Sequence, residues 1–182
     1  MGLDWCLNSL EKDKSPLEYL GAERCDLSNP AHVKICREIL KSRRKAGVAI
    51  SDSIDTVEQA EEGLIREMEG QILVDTIDKE KYKDALASLG SFFACLSGVE
   101  AFRGKIIQYC PLVPEDMQNE AFQEMDSEYM LDYADRLRIC IHDYELNTND
   151  DEKDTESIDD IWEAVHWLEF WAQHPVKMVP WY

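Results

Sequence analysis

Residues 157–172 read SIDDIWEAVHWLEFWA, a run with neither Gly nor Pro, preceded by acid-rich polar sequence and followed by Pro175. At 100° per residue, Ile158, Ile161, Val165, Leu168 and Ala172 fall within one narrow arc, with Trp162 and Trp171 on its flanks. The stretch therefore predicts a helix whose arc faces a core. Ser157, with Asp160 three residues on, reads as its N-cap, and Pro175 ends it. The opposite arc carries Asp159, Asp160, Glu163, His166, Trp167, Phe170 and His174. Acids belong on a solvated face, but two large aromatics do not. Trp167 and Phe170 are thus expected either to lie under another segment, for which residues 176–182 are the candidate, or to form a partner-binding surface.

Outward from this helix, the same signals predict five more. Asn29 before Pro30 opens one that runs to Gly47, and Asp55 with Glu58 opens a second that stops at Gly70. Asp78 opens a third through Tyr82, Leu86, Leu89 and Phe93. Pro114 starts a short one with Met117, Ala121 and Phe122, and Asp126 or Ser127 starts another that reaches about Tyr144. At the N-terminus Met1, Leu3, Trp5 and Leu7 alternate with Gly2, Asp4, Cys6 and Asn8, the period of a half-buried strand. Its partner is left open among residues 47–50, 72–77 and 105–109. The fold class expected is mainly α, α+β at most: about six helices around one core, with a short N-terminal strand and a minor β element. At 182 residues and 45% hydrophobic content, a single domain over residues 1–182 is the expectation.

The formal net charge is -19, at which phosphate backbones are repelled, so direct nucleic-acid binding is not expected. The acid is unevenly placed. Residues 1–50 hold nine Lys/Arg against seven Asp/Glu, whereas residues 115–163 hold eighteen acids against three bases. On the helix from residue 30, Lys34, Arg37, Lys41, Arg44 and Lys45 form a basic stripe opposite Ile35, Cys36, Ile39 and Leu40, the pattern of a solvated face. Residues 147–156 contain no large apolar side chain and read as a mobile acidic loop carrying Asp150, Asp151, Glu152, Asp154 and Glu156.

No apolar run is long enough for a membrane span and no signal-peptide pattern opens the chain, so a soluble, cytoplasmic protein is expected. Six cysteines, Cys6, Cys25, Cys36, Cys95, Cys110 and Cys140, occur without a C-x-x-C pair and read as buried thiols of a reducing compartment rather than zinc ligands or disulfides.

Metal chemistry has two candidate pairs. Glu163-x-x-His166 has the spacing of di-iron helix bundles, but those sites need the motif twice and it occurs once. His142-Asp143 resembles the metal-binding pair of HD phosphohydrolases, without the upstream histidine at the right remove; His32, amid Ile35, Cys36 and Ile39, reads as a core residue. Glu58-x-x-Glu61 is similar to the first half of the magnesium motif of MazG-type pyrophosphatases, and the second half is missing. No nucleophile elbow, phosphate loop or dinucleotide fingerprint occurs. No catalytic residue and no cofactor are assigned on these grounds.

The opening MGLDW at residues 1–5, FRGK at 102–105 and MLDYADRL at 130–137 together resemble a recurring set of small uncharacterised proteins. That resemblance implies no activity. It points only to Arg103 and Lys105 in a turn.

The function expected is that of a non-enzymatic interaction protein whose acidic C-terminal half binds a basic protein partner, with charge that mimics nucleic acid. Trp167, Phe170 and the five loop acids are its expected contacts, and self-association is the other partner reading. The alternative is a metal-dependent helical hydrolase, HD- or MazG-like, using Glu163, His166, His142 and Asp143.

Overall fold

The computed structural model describes residues 3–45, 57–78, 80–83 and 101–181. In chain order the elements are β1 (Asp4–Ser9), β2 (Glu23–Arg24), α1 (Pro30–Lys45), α2 (Val57–Glu67), β3 (Ile72–Leu73), β4 (Ala101–Phe102), α3 (Lys105–Gln108), α4 (Glu115–Glu120), α5 (Ser127–Asn147), α6 (Thr155–Ala172) and β5 (Val176–Trp181). The fold is mainly helical with a small β component. Of the expected helices, the one opening at Asp78 lies, beyond residue 83, outside the described residues. Where length suggests one domain, the chain gathers into two compact units: residues 1–19 with 79–182, and residues 20–78. Among the described residues no helix is long and apolar enough to cross a membrane.

In the first unit β1 is the central strand of an antiparallel sheet ordered β4-β1-β5. Of the three partners weighed for the opening strand, neither of the two that fall on described residues is used. Ile72–Leu73 pairs with β2 in the other unit, Lys105–Gln108 is helical, and residues 47–50 lie outside the described residues. Register sets Trp5 beside both Phe102 and Pro180, and Leu7 beside Met178. On the outer edge of β5, Met178 donates its N–H to Met125 O at 2.8 Å and accepts from Met125 N at 3.0 Å. Val176 and Pro180, two residues either way, share that outward phase, and Pro180 has no N–H.

Leu3, Trp5 and Leu7 enter the core from alternate positions of the chain, as period two requires. Trp5 is its centre: its ring lies 5.4 Å from Phe102, 6.1 Å from Tyr133 and 6.1 Å from Trp167. The polar tips are anchored too, Trp5 Nε1 donating to Ala121 O at 2.9 Å and Tyr133 Oη to Met117 O at 2.7 Å. The turn at Phe102-Arg103-Gly104-Lys105 closes against this cluster, with Lys105 N donating to Leu3 O at 2.8 Å. A Cβ on Gly104 would meet Leu3 Cγ and Trp5 Nε1 at 2.9 Å each, so close approach, not backbone freedom, requires glycine there.

The second unit has its own core of Cys25, Cys36, Leu40, Ile65, Met68 and Leu73. Asn29 Oδ1 accepts from Ala31 N at 3.0 Å and starts α1. Lys34, Arg37 and Lys41 are exposed on the far face of this helix. His32 is buried: its Nδ1 accepts from Asp26 N at 3.1 Å, which leaves Nε2–H to donate to Glu23 Oε2 at 2.8 Å. Cys25 and Cys36 are buried free thiols with their sulfurs 3.5 Å apart, and burial, with Cys36 second, pushes the Cys25 thiol up to about 11.

Candidate interaction surface

Trp167 is fully buried, which agrees with the covered reading of the opposite arc and not with a partner-binding surface. Besides Trp5, it packs on Phe102 at 5.8 Å, so β1 and β4 contribute to its cover. The wheel argument failed because α6 is buried on two sides: Ala164 and Trp167 join Ile161, Val165 and Leu168 in the core. Phe170 is half-buried, flanked by Tyr82 at 6.2 Å, Trp171 at 5.2 Å and His174 at 5.3 Å. Burial, then the charge of Lys81, holds the His174 imidazole below its ordinary value. This aromatic group belongs to the packing of the first unit.

The acids lie where α5 ends and α6 begins. Residues 147–156, expected as a loop, are mostly built into elements: α5 runs to Asn147, Asp150–Glu152 form a single 3-10 turn, and α6 starts at Thr155. Local hydrogen bonds supply what apolar burial does not. Glu152 N donates to Asn149 O at 2.9 Å, and Asp154 N to Tyr144 Oη at 3.1 Å. Asp151, Glu152, Asp154 and Glu156 are exposed, and Asp150 opens the turn.

Asp154, not Ser157, is the N-cap of α6. Its carboxylate accepts from Ser157 N at 3.1 Å and from Ser157 Oγ at 2.7 Å, and these bonds hold its pKa below the ordinary value. It therefore has a structural task, which the cap rule explains: the chain turns helical at the first residue whose predecessor can satisfy an orphan N–H. Asp154→Ala is expected to lower the melting temperature by a few degrees, while Asp154→Asn, still a good cap, leaves it nearly unchanged. Thermal scans of the two variants check this.

Beside this cap lies a recess of about 560 Å³, lined by Pro111, Leu112 and Pro114 together with Asp143, Tyr144 and Asp154. It combines an apolar wall with two carboxylates, the chemistry that suits the stem and head of a Lys or Arg side chain. Along α6, burial first and then the charges of Glu156, Asp159 and Asp154 raise the Asp160 pKa, and burial with Asp160 and Asp159 raises that of Glu163. The hairpin's arginines are engaged elsewhere, Arg136 with Glu120 and Asp132, Arg138 with Asp135 and Glu169. Among the described residues no Lys or Arg forms an ion pair with Asp143, Glu145, Asp159, Asp160 or Glu163. Arg103 and Lys105, exposed at their turn, line a neighbouring recess of about 360 Å³ with Asp160.

Among protein families, curated proteins and solved structures, nothing matches this chain. The metal candidates stand as two separate pairs. His142 and Asp143 are exposed near the end of α5, and the His166 ring stacks at 5.7 Å on that of Trp162, four residues back on α6. Among the described residues no group of three or more His, Cys, Asp or Glu is placed to hold a metal ion. Pro111, Leu112 and Tyr144 were not singled out by the sequence. The only available signal was the Pro-x-x-Pro frame of residues 111–114, whose first proline carried no periodicity to interpret.

Proposed function

We propose that the acidic end of the α5–α6 hairpin binds a basic protein partner without catalysing a reaction, the recess at Asp143 and Asp154 accepting a Lys or Arg side chain. The observation that supports this is the recess itself, where Pro111, Leu112 and Pro114 form an apolar wall beside the carboxylates of Asp143 and Asp154. On the adjoining stretch of α6, Asp160 and Glu163 are raised by burial and by neighbouring acids, and an approaching cation offsets that mutual repulsion. The class of partner this fits is a protein whose basic surface otherwise meets nucleic acid, because a dense row of carboxylates offers the charge of a phosphate backbone on a protein scaffold.

An arginine-rich peptide, titrated into the fluorescently labelled protein and followed by anisotropy, tests the reading. Affinity should fall steeply with salt as the screening length shortens from about 10 Å at 0.1 M to about 3 Å at 1 M. The double substitution D143N/D154N, which keeps the helix cap, should weaken binding severalfold. Absence of binding at low salt, or binding indifferent to both salt and the substitutions, would leave the acids as a solubilising coat.

A further inference from the structure

The outward face of α5 carries three large aliphatic side chains in the open. Leu131 is 45% exposed, Ile139 58% and Leu146 69%, on a helix whose inward face is buried through Met130, Tyr133, Ala134, Leu137 and Ile141. The three are not scattered. With Asp135 and His142 they follow spacings of four, four, three and four residues, the seam along which one helix packs on another. The seam spans sixteen residues, about 22 Å from end to end.

We infer that this face is a contact between two copies of the chain, arranged as an antiparallel α5–α5′ pair about a two-fold axis that passes between Arg138 and Ile139. The residues themselves fix that register. When the seam is turned end for end about this point, Leu131 falls beside Leu146 of the second copy, and Asp135 falls beside its His142. The two Ile139 side chains then meet next to the axis. Each apolar residue thus finds an apolar one and the acid finds the imidazole, on both halves at once, as an isologous contact requires. Asp135 already accepts from Arg138 Nη1 at 2.8 Å but is 72% exposed, so its carboxylate has room for a second donor. Parallel pairing would instead stack Asp135 on Asp135 and His142 on His142. A single helix seam of this length buries little area, so the pair is weak and concentration-dependent.

Charge makes the test sharp. Each copy carries -19, so the copies repel at long range and added salt should strengthen the dimer. Capture of a basic partner by the acidic end of the hairpin responds to salt in the opposite sense, which keeps the two proposals separable. Sedimentation velocity of the full chain, from micromolar to about millimolar concentration in 0.05 M and 0.5 M NaCl, should show a monomer–dimer equilibrium that tightens at the higher salt. Ile139→Asp, at an exposed position, should leave the melting temperature unchanged and weaken the dimer about tenfold or more. Asp135→Lys and His142→Glu should each weaken it, and the two together should restore it. A monomer under all conditions overturns the inference, as does a dimer that Ile139→Asp leaves intact. A dimer that the charge swap fails to restore overturns the antiparallel register.

Discussion

Replacing Trp167 with Ser is expected to cost about 3–5 kcal/mol, a large part of the stability of a chain this size. Trp167 is 0% exposed and shares ring contacts with Trp5 and Phe102, so the change removes an indole at the point where β1, β4 and α6 meet. The loss has two parts, the transfer free energy of the ring and the cavity left among aromatics too large to collapse into it. Among the described residues Trp167 Nε1 has no hydrogen-bond partner, so Trp167→Phe should be far milder, because it keeps most of the packing and deletes a donor left unsatisfied there. Urea unfolding of the two variants separates these effects. A Trp167→Ser protein as stable as the parent would mean that the residue lies outside the core.

The second large effect is expected at Arg136. Its guanidinium donates to both oxygens of Glu120, at 3.1 and 2.5 Å, and its Nε lies 3.0 Å from Asp132, while Tyr129 Oη donates to Glu120 at 2.7 Å. This ties α4 to α5 across a partly buried site. Arg136→Met keeps the stem but strips Glu120 of its two charge-assisted bonds, a loss of about 2 kcal/mol at neutral pH. The sign with pH follows from the direction of the shift. Arg136 first, then Tyr129, holds the Glu120 carboxyl below its ordinary value of 4.5, so this stabilisation is complete above that pH and fades as pH falls through the depressed range. Parent and variant should therefore converge in acid. Asp160 and Glu163 run the other way: their raised values favour the fold at low pH, and that contribution is lost as pH rises through them. Denaturation curves between pH 3 and pH 7 should show a gap that widens as pH rises.

Helix existence was legible wherever a cap and a period coincided. Asn29 before Pro30, and Asp126 ahead of Tyr129, announce their helices and make the expected bonds. The strand pairing of β1 was not legible, because β4 is two residues long and β5 contains Pro180, which reads as a break unless its outward position is known. For the candidate surface, the count of acids in residues 115–163 pointed to the α5–α6 hairpin, but not to which of its acids cap a helix and which stay exposed. A helix wheel assumes one buried side, and α6 has two, which is why Trp167 was misplaced. Asp154 was grouped with the exposed acids because a cap and a docking group are the same residue type until the helix start is seen. The recess needed Pro111 and Asp143 brought together from segments thirty-two residues apart, and no local pattern encodes that.

The outer edge of β5 constrains what kind of ligand this flank of the sheet can take. A bare strand edge invites any extended chain to continue the sheet, which is how peptides are captured by main-chain pairing and how fibrils grow. Here Met125 already occupies both groups of Met178, and Pro180 has no donor to give. Trp181, 71% exposed at the end of this strand, can therefore stand in water without templating a stack of copies. A visitor to this flank must be read by its side chains, and a concentrated solution of the protein has one fewer route to cross-β aggregation.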